Sequence, residues 1–300
     1  RIFYLRRFFS YPISLSAETI RNLGILRMTR IGASYLLARA RPIKPERSLE
    51  DFFINRFGRE LYLTFFKDYT EKVWGVPCDK INPDWGAQRV KGLSITTALL
   101  HAARRALKPA DASMSQKGVE TSLIERFLYP KYGPGQMWEE VSRRVLERGG
   151  EIHHQRRIVG LHREDNRIVS VNVRNEDTGE VEALRGDYFL STMPVQELVR
   201  YFDRDAPVPG EVKRVSDGLM YRDFMTVGLL LSKLKVRNPG GEPGLIKDNW
   251  IYIQERDVKI GRLQIFNNWS EFMIDDPRNT VWLGLEYFCN EGDALWSKSD

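Results

Sequence analysis

Tyr129-Pro130-Lys131-Tyr132-Gly133-Pro134-Gly135 begins the stretch that decides the fold, and this stretch continues to Pro194. Its glycines and prolines predict a turn immediately before a helix. Apolar side chains then recur at every fourth position, as on one helical face, at Met137, Val141 and Val145. We therefore expect a turn and a helix, which Gly149-Gly150 closes.

β-structure is predicted directly after this helix. Four segments carry strand-forming patterns, at 151–161, 167–174, 181–184 and 188–192. Asp177-Thr178-Gly179 supplies the turn of a hairpin between the second and third segments. Met193-Pro194 ends the fourth strand, and another helix begins at Val195. The predicted order is helix, strand, hairpin, strand, helix.

The residues before this stretch are expected to be mostly helical. Ser48 and Asp51 resemble a capping box, and Gly58 ends the helix that they begin. A second helix is predicted at 60–66, and Pro77, Pro83 and Gly86 predict a loop. Further along, 93–107 is predicted as a helix and 108–118 as a mobile polar surface loop.

The residues after 207 are expected to be predominantly β. Strands are predicted at 224–232, 250–254, 262–269 and 280–289. Both faces of the last strand are largely apolar, so it should lie centrally in its sheet. The fold class is therefore α/β (α+β).

The composition excludes several classes of protein. With 42% hydrophobic and 29% charged residues, this 300-residue chain is an ordinary globular protein of about two domains rather than a disordered one. It contains no run of eighteen apolar residues, so no transmembrane segment is expected. The net charge of +6 is scattered rather than gathered in a stripe. Nucleic acid is therefore not an expected partner, whereas an anionic small molecule would fit the basic excess.

No metal site is expected either. Cys78 and Cys289 are isolated, which argues for a reducing compartment and hence a cytoplasmic protein. His153 and His154 are adjacent on a predicted strand and so point to opposite faces. The single Gly-x-Gly, at Gly133 and Gly135, has Trp138 in place of the third glycine, so the chain lacks the pyrophosphate cradle of dinucleotide-binding folds.

In order and spacing, the unit from Tyr129 to Pro194 resembles the second FAD-contacting segment of amine oxidase-like flavoproteins, which include the protoporphyrinogen oxidases. The resemblance implies that 1–125 is a helical substrate domain and that 126–205 is the returning part of a Rossmann-like FAD-binding domain with a β-meander. Residues 206–300 would then form an antiparallel β-sheet of the substrate domain. It also implies a GxGxxG unit before Arg1, so that this chain is the middle of a longer protein.

The same resemblance implies which residues contact FAD. Ile158 would pair with the adenine through its backbone, although Ile158 is also an ordinary buried strand residue. The other implied contacts are two turns, formed by Gly133, Pro134 and Gly135 and by Thr192, Met193 and Pro194. A plain loop before a helix would explain the glycines equally well.

A second resemblance concerns the residues from Tyr69 to Gly75. With Arg56-Phe57-Gly58 before it and Arg89 after it, this segment resembles the substrate domain of UDP-galactopyranose mutases, although those enzymes favour Gln at Val73. The implied substrate-binding residues are Tyr69, Lys72, Trp74 and Arg89. Arg262 and Asn268, in the β-rich segment, are further candidates. For Trp74, a place in the core is the competing interpretation.

Three functions remain open at this point. The leading hypothesis is an FAD-dependent oxidoreductase of the amine oxidase-like superfamily. A mutase-like enzyme that isomerises a nucleotide sugar is the alternative, and a non-catalytic binding module is the third. The substrate would be a small molecule such as a nucleotide sugar or an amine. No catalytic residue is identified, since the flavin ring would carry the chemistry.

The missing cradle predicts that residues 1–300 alone bind FAD weakly or not at all, because no GxGxxG turn is present to hold the pyrophosphate. A titration of the purified chain with FAD, followed by flavin fluorescence, measures this. Stoichiometric yellow cofactor retained through purification would contradict the prediction.

Overall fold

The computed structural model describes residues 1–11, 13, 16–89, 127–236 and 245–299. The chain divides into two units, of which the first contains Arg1–Gln136 and Arg222–Asp300 and the second Met137–Tyr221. The helix predicted at 93–107 and the loop predicted at 108–118 lie outside the described residues. The three-part division at 125 and 205 stays a prediction.

Residues 17–89 of the first unit are mostly helical, as expected. The helical elements are α1 (Ala17–Leu23), α2 (Ile25–Ala40), α3 (Leu49–Phe57), α4 (Arg59–Leu61), a π-helical turn (Tyr62–Phe66), α5 (Lys67–Trp74), a 3₁₀ turn (Cys78–Lys80) and α6 (Pro83–Arg89). The helix predicted at 60–66 is thus the middle of a longer helical run with a π turn inside it. Such a turn inserts an extra residue, which period counting does not detect.

The start and end of α3 are those predicted. Ser48 Oγ accepts a hydrogen bond from the Asp51 backbone N–H at 3.2 Å. Gly58 ends the helix with φ +79°, and a Cβ there would lie 2.7 Å from the backbone N of Tyr35 on α2. This close approach lets α2 and α3 pack around a core that includes Phe52, Phe53, Phe57 and Tyr62.

The loop predicted around Pro83 is wrong, since α6 begins at that residue. Proline is well suited to the first position of a helix, where no intrahelical N–H bond is needed. Gly86 lies inside α6. A side chain at this position would clash with α3, since a Cβ there would come within 2.7 Å of the side chains of Leu49 and Phe52. Close packing against α3 therefore explains a glycine that suggested a turn.

The first unit also contains a six-stranded sheet in the order β2-β1-β7-β8-β9-β6. Its strands are β1 (Ile2–Tyr4), β2 (Arg7–Phe9), β6 (Asp223–Leu231), β7 (Trp250–Ile253), β8 (Ile260–Ile265) and β9 (Val281–Cys289). β1 and β2 were not predicted, and β1 pairs in parallel with β7, so the sheet is mixed rather than purely antiparallel. The interior place of β9, between β8 and β6, is confirmed.

The two faces of this sheet differ in composition. Ile251, Ile265, Val281 and Leu283 lie on one face and belong to a buried apolar cluster. Side chains alternate along a strand, so the intervening residues of β7, β8 and β9 occupy the other face. That second face carries polar and aromatic side chains.

The second unit contains a three-stranded antiparallel sheet of β3 (Arg156–Glu164), β4 (Arg167–Asn175) and β5 (Val181–Arg185). Its helices are α8 (Val195–Asp205), α9 (Gly210–Asp217) and most of α7 (Gly135–Glu147), which begins in the first unit. The helix after the glycine turn and the hairpin are confirmed. α9 was not predicted, although Pro209 directly precedes it.

The strand predicted at 188–192 is wrong, because these residues form no ladder with any strand in the described chain. Their apolar side chains are largely exposed, as at Leu190. A strand requires a partner for its backbone, which a local pattern does not supply. Elsewhere, no helix among the described residues has both the length and the apolar character to cross a membrane.

Gly58→Ala is expected to destabilise the protein by about 2–6 kcal/mol, since it adds overpacking against Tyr35 to a backbone conformation that strongly favours glycine. Gly24→Ala is the matched control, because Gly24 has nearly the same φ and ψ, +79° and 154°, but has nothing within 4 Å of its Cβ position. Urea unfolding measures both variants. Equal losses of unfolding free energy in the two variants would show that the clash with Tyr35 of α2 adds no destabilisation.

Candidate functional site

The candidate site lies on the second face of the six-stranded sheet. Cross-strand pairing places Tyr252 of β7 opposite Arg262 of β8, and Arg262 opposite Glu286 of β9. Trp250 is opposite Gln264 in the same way. Five polar or aromatic side chains from three adjacent strands therefore share one surface.

Glu286 organises this surface. Although charged, the residue is only 2% exposed. Arg262 Nε donates to its Oε2 at 2.6 Å, and Gln264 Nε2 donates to its Oε1. A buried carboxylate requires such partners, since it has lost its water. The carboxylate in turn holds the guanidinium of Arg262, whose side chain is 33% exposed, in a fixed position on the surface.

A row of aromatic rings borders this ion pair. Tyr69 of α5 packs edge-on against Tyr252 at 5.3 Å between ring centroids. Trp250 contacts Trp269 at 5.0 Å, and Trp269 stacks on Tyr129 at 4.9 Å. We call these five residues, together with Arg262 and Glu286, the aromatic face.

The tyrosines of the aromatic face are neutral at physiological pH. Burial raises the pKa of Tyr252 to about 12, with a further contribution from Tyr11, while the positive charge of Arg262 acts in the opposite direction. Burial likewise raises the pKa of Tyr69 far above its ordinary value. These phenols can therefore donate hydrogen bonds or present flat surfaces to a ligand.

The glycine turn that was predicted to contact FAD lies beside this face. Gly133 has φ +87°, and a Cβ there would lie 3.3 Å from the methyl carbon of Met273. The Ser270 hydroxyl donates to the carbonyl of Lys131 at 2.6 Å. The structure therefore brings the turn of Gly133, Pro134 and Gly135 next to Trp269 and the segment that follows it.

Two predicted substrate residues, Lys72 and Asn268, donate hydrogen bonds to backbone carbonyls, and their role towards a substrate stays a prediction. Lys72 Nζ donates to the backbone carbonyls of Ile253 and Glu255 at 2.9 and 2.8 Å, and to that of Ile260 at 3.2 Å. Burial lowers the pKa of this ammonium group. The amide nitrogen of Asn268 donates to two backbone carbonyls in the same manner, both at 2.7 Å. These bonds occupy the donors of both side chains.

The remaining predicted substrate residues lie on α5 and α6. Trp74 is half-buried and packs edge-on against Trp85 at 5.4 Å. Arg89 is the last residue of α6, and its side chain lies outside the described structure. Tyr69 and Arg262 are thus the two predicted substrate residues that the structure brings together.

The other predicted cofactor residues belong to the second unit. Ile158 pairs with Val173 in the β3–β4 ladder, and its carbonyl accepts a hydrogen bond from the Tyr201 hydroxyl at 2.9 Å. The register shifts between Ile158 and Gly160, so Val159 is an extra residue in β3. Thr192, Met193 and Pro194 directly precede α8, with Pro194 at its N-cap.

Trp250, Tyr252, Gln264 and Glu286 were not predicted as site residues. One signal was present in the sequence, since Glu286 is the single charged residue in the otherwise apolar strand 281–289. A charge in an interior strand requires a partner. The identity of that partner depends on the register between β8 and β9, which the sequence pattern does not reveal.

The fold is similar to that of larger proteins of known structure, one of which is an enzyme. No family model matches the sequence, and no curated protein matches it. Among solved structures, the chain is similar to a reduced UDP-galactopyranose mutase, with a TM-score of 0.70 and 19% identity over 97% of this chain and 57% of the mutase. It is also similar to the PF1083 protein from Pyrococcus furiosus, with a TM-score of 0.53 and 13% identity over 93% of this chain and 57% of the other. At these identities the comparisons establish a shared fold, and this chain spans 57% of the mutase chain.

Glu286→Gln is expected to lower the free energy of unfolding by about 1–3 kcal/mol, because it removes the charge that compensates Arg262 and turns one acceptor into a donor. Glu140→Gln is the control, since Glu140 likewise accepts hydrogen bonds from two side chains, those of Arg143 and Arg144, but on an exposed helix surface. Its effect should be much smaller. Equal losses in urea unfolding would show that burial of Glu286 contributes nothing.

Proposed function

We propose that this chain is part of an FAD-dependent enzyme that binds a small-molecule substrate on the aromatic face. The proposal is carried by one observation. The fold is similar to that of a UDP-galactopyranose mutase, and in it the turn at Gly133 lies beside the aromatic face. This face presents aromatic rings and the guanidinium of Arg262, which Glu286 holds in place.

The residues of this chain fit a bound flavin nucleotide at two places. At Gly133 the absence of a side chain permits close backbone approach. At Val159 the bulge in β3 interrupts regular pairing, which leaves backbone groups beside Ile158 for an adenine, whereas the Ile158 carbonyl itself already accepts from Tyr201. The proposal also requires a strand–GxGxxG–helix unit outside residues 1–300, since the chain itself contains no pyrophosphate cradle. FAD, when bound, would supply the redox or nucleophilic chemistry.

The aromatic face supplies two kinds of substrate contact. Rings such as Trp250 and Tyr252 offer flat surfaces against which a base or sugar can pack. Arg262 can bind a phosphate or carboxylate with the N–H groups that do not face Glu286. Glu286 acts as a positioning residue, since it fixes the guanidinium before a ligand arrives. Trp269 Nε1 is buried with no hydrogen-bond partner among the described residues, and it is a further donor for a ligand.

Two reactions are compatible with this arrangement. The order of segments favours an oxidoreductase of the amine oxidase-like superfamily, which would remove a hydride or electrons from a C–N or C–C bond. The mutase-like alternative is favoured by the likeness to the UDP-galactopyranose mutase and by Arg262, which suits a nucleotide diphosphate. Its substrate would be a nucleotide sugar, isomerised without net oxidation. The non-catalytic binding module is not favoured by any feature of the aromatic face.

UDP is the probe that separates the two reactions. If the mutase-like alternative holds, UDP should quench the tryptophan fluorescence of the complete FAD-containing protein, because Trp250 and Trp269 line the face. Arg262→Met should then weaken UDP binding by about 10- to 100-fold, as expected for a lost charge-assisted contact. Arg256→Met is the matched control, since Arg256 also pairs with one carboxylate, Asp68, but is exposed and belongs to the turn between β7 and β8 rather than to a strand.

An oxidoreductase gives a different set of results. An amine or another reduced substrate should bleach the flavin in the absence of oxygen, and oxygen or a quinone should restore it. UDP should then bind weakly, with no difference between Arg262→Met and Arg256→Met. A complete protein that carries no FAD would contradict both forms of the proposal.

A further inference from the structure

Helix α2 presents an uncharged surface that packs against no other part of the described chain. Ile25, Leu26, Leu36 and Leu37 are between 62% and 77% exposed, although they are large and apolar. Leu36 and Leu37 follow Ile25 and Leu26 by eleven residues, which is three turns of an α-helix. Both pairs therefore lie on one side of the helix. We call this surface the α2 stripe, and its members are Ile25, Leu26, Thr29, Ala33, Leu36 and Leu37.

The outward direction of the α2 stripe is fixed by packing on the other side of the helix. Ile31 and Ala38 are buried, and Ser34 Oγ accepts a hydrogen bond from the backbone N–H of Glu60 at 3.1 Å. The close approach of Gly58 to the backbone of Tyr35 leaves no room for α2 to rotate. The stripe, about 18 Å long from Ile25 to Leu37, thus faces away from the helical core.

Positive charge surrounds the α2 stripe. At 100° per residue, Arg30 lies along one edge and Arg39 along the other, and Arg41 follows directly after the helix. The helix itself contains no acidic residue, and Glu18 is the one acid between positions 17 and 45. Six basic residues fall in the same range, namely Arg21, Arg27, Arg30, Arg39, Arg41 and Lys44. None of them forms an ion pair with another described residue.

We propose that the α2 stripe docks on the surface of a membrane that contains anionic lipids. An apolar helical face with basic residues along its edges suits the boundary between lipid headgroups and acyl chains. The leucines would enter the acyl region, and the guanidinium groups would bind headgroup phosphates. A second copy of this chain is a poorer partner, since it would bring arginines against arginines.

Cosedimentation of the complete protein with lipid vesicles tests the proposal. Binding is expected to vesicles of equal parts phosphatidylglycerol and phosphatidylcholine, and not to phosphatidylcholine alone. It should weaken strongly in 0.5 M salt, because headgroup attraction is screened. Equal binding to both kinds of vesicle, or no binding to either, would overturn the proposal.

Two double variants assign the binding to the α2 stripe. Leu26→Glu with Leu37→Glu should reduce vesicle affinity by at least about 100-fold, because two leucines that would enter the acyl region are lost. Arg30→Gln with Arg39→Gln should reduce it by about 10- to 30-fold. Each variant should keep its urea unfolding curve, because the replaced side chains are exposed.

The controls place equal changes on other exposed positions. Leu190→Glu with Met220→Glu introduces two acids at residues that are 92% and 74% exposed in the second unit. Arg148→Gln with Arg157→Gln removes two exposed charges that form no ion pair among the described residues. Both controls should bind vesicles as the parent does. If the leucine variant still binds vesicles, the stripe is not a membrane surface. The same conclusion follows if the variant loses only self-association, measured by sedimentation velocity.

Discussion

The compensation of one buried negative charge is the interaction on which the aromatic face depends. Glu286 lies in an interior strand and is almost fully excluded from water, so its carboxylate requires donors from the neighbouring strand. Arg262 and Gln264 provide them from alternate positions of β8. A shift of one residue in the β8–β9 register would turn both donors to the apolar face and leave the charge unpaired. The ion pair therefore favours one register, and this register also sets the position of Trp250 and Tyr252 on β7.

Lys72 performs a related task between helix and sheet. Its three bonds to backbone carbonyls tie α5 to the ends of β7 and β8. Tyr69 is one turn earlier on the same helix and reaches Tyr252. The helix could not slide along the sheet without breaking bonds of a partly buried cation. The position of Tyr69 beside the sheet is thus a consequence of structural bonds made by its neighbour.

Much of the fold could be predicted from local patterns. The cap at Ser48, the period of four after Gly135 and the alternation in β9 each depend on residues close in sequence, and each prediction is confirmed. Failures occurred where distant residues decide the outcome. The strand predicted at 188–192 has no partner in the described chain, and β1 pairs with β7 across 250 positions. Which strands pair depends on residues that are distant in sequence, so a local pattern of apolar residues does not predict it.

The segment from Tyr69 to Gly75 shows why a sequence motif does not by itself show which of its side chains share a site. The resemblance to the sugar mutases treats this motif as one substrate-binding unit. In the structure it is an α-helix, whose 100° rotation per residue separates neighbouring side chains. Tyr69 and Lys72 point towards the sheet, whereas Trp74 lies on another side against Trp85. One side chain borders the aromatic face, one bonds the backbone, and one packs between helices. A motif in a helix therefore specifies several environments at once, and only packing shows which of its side chains share a site.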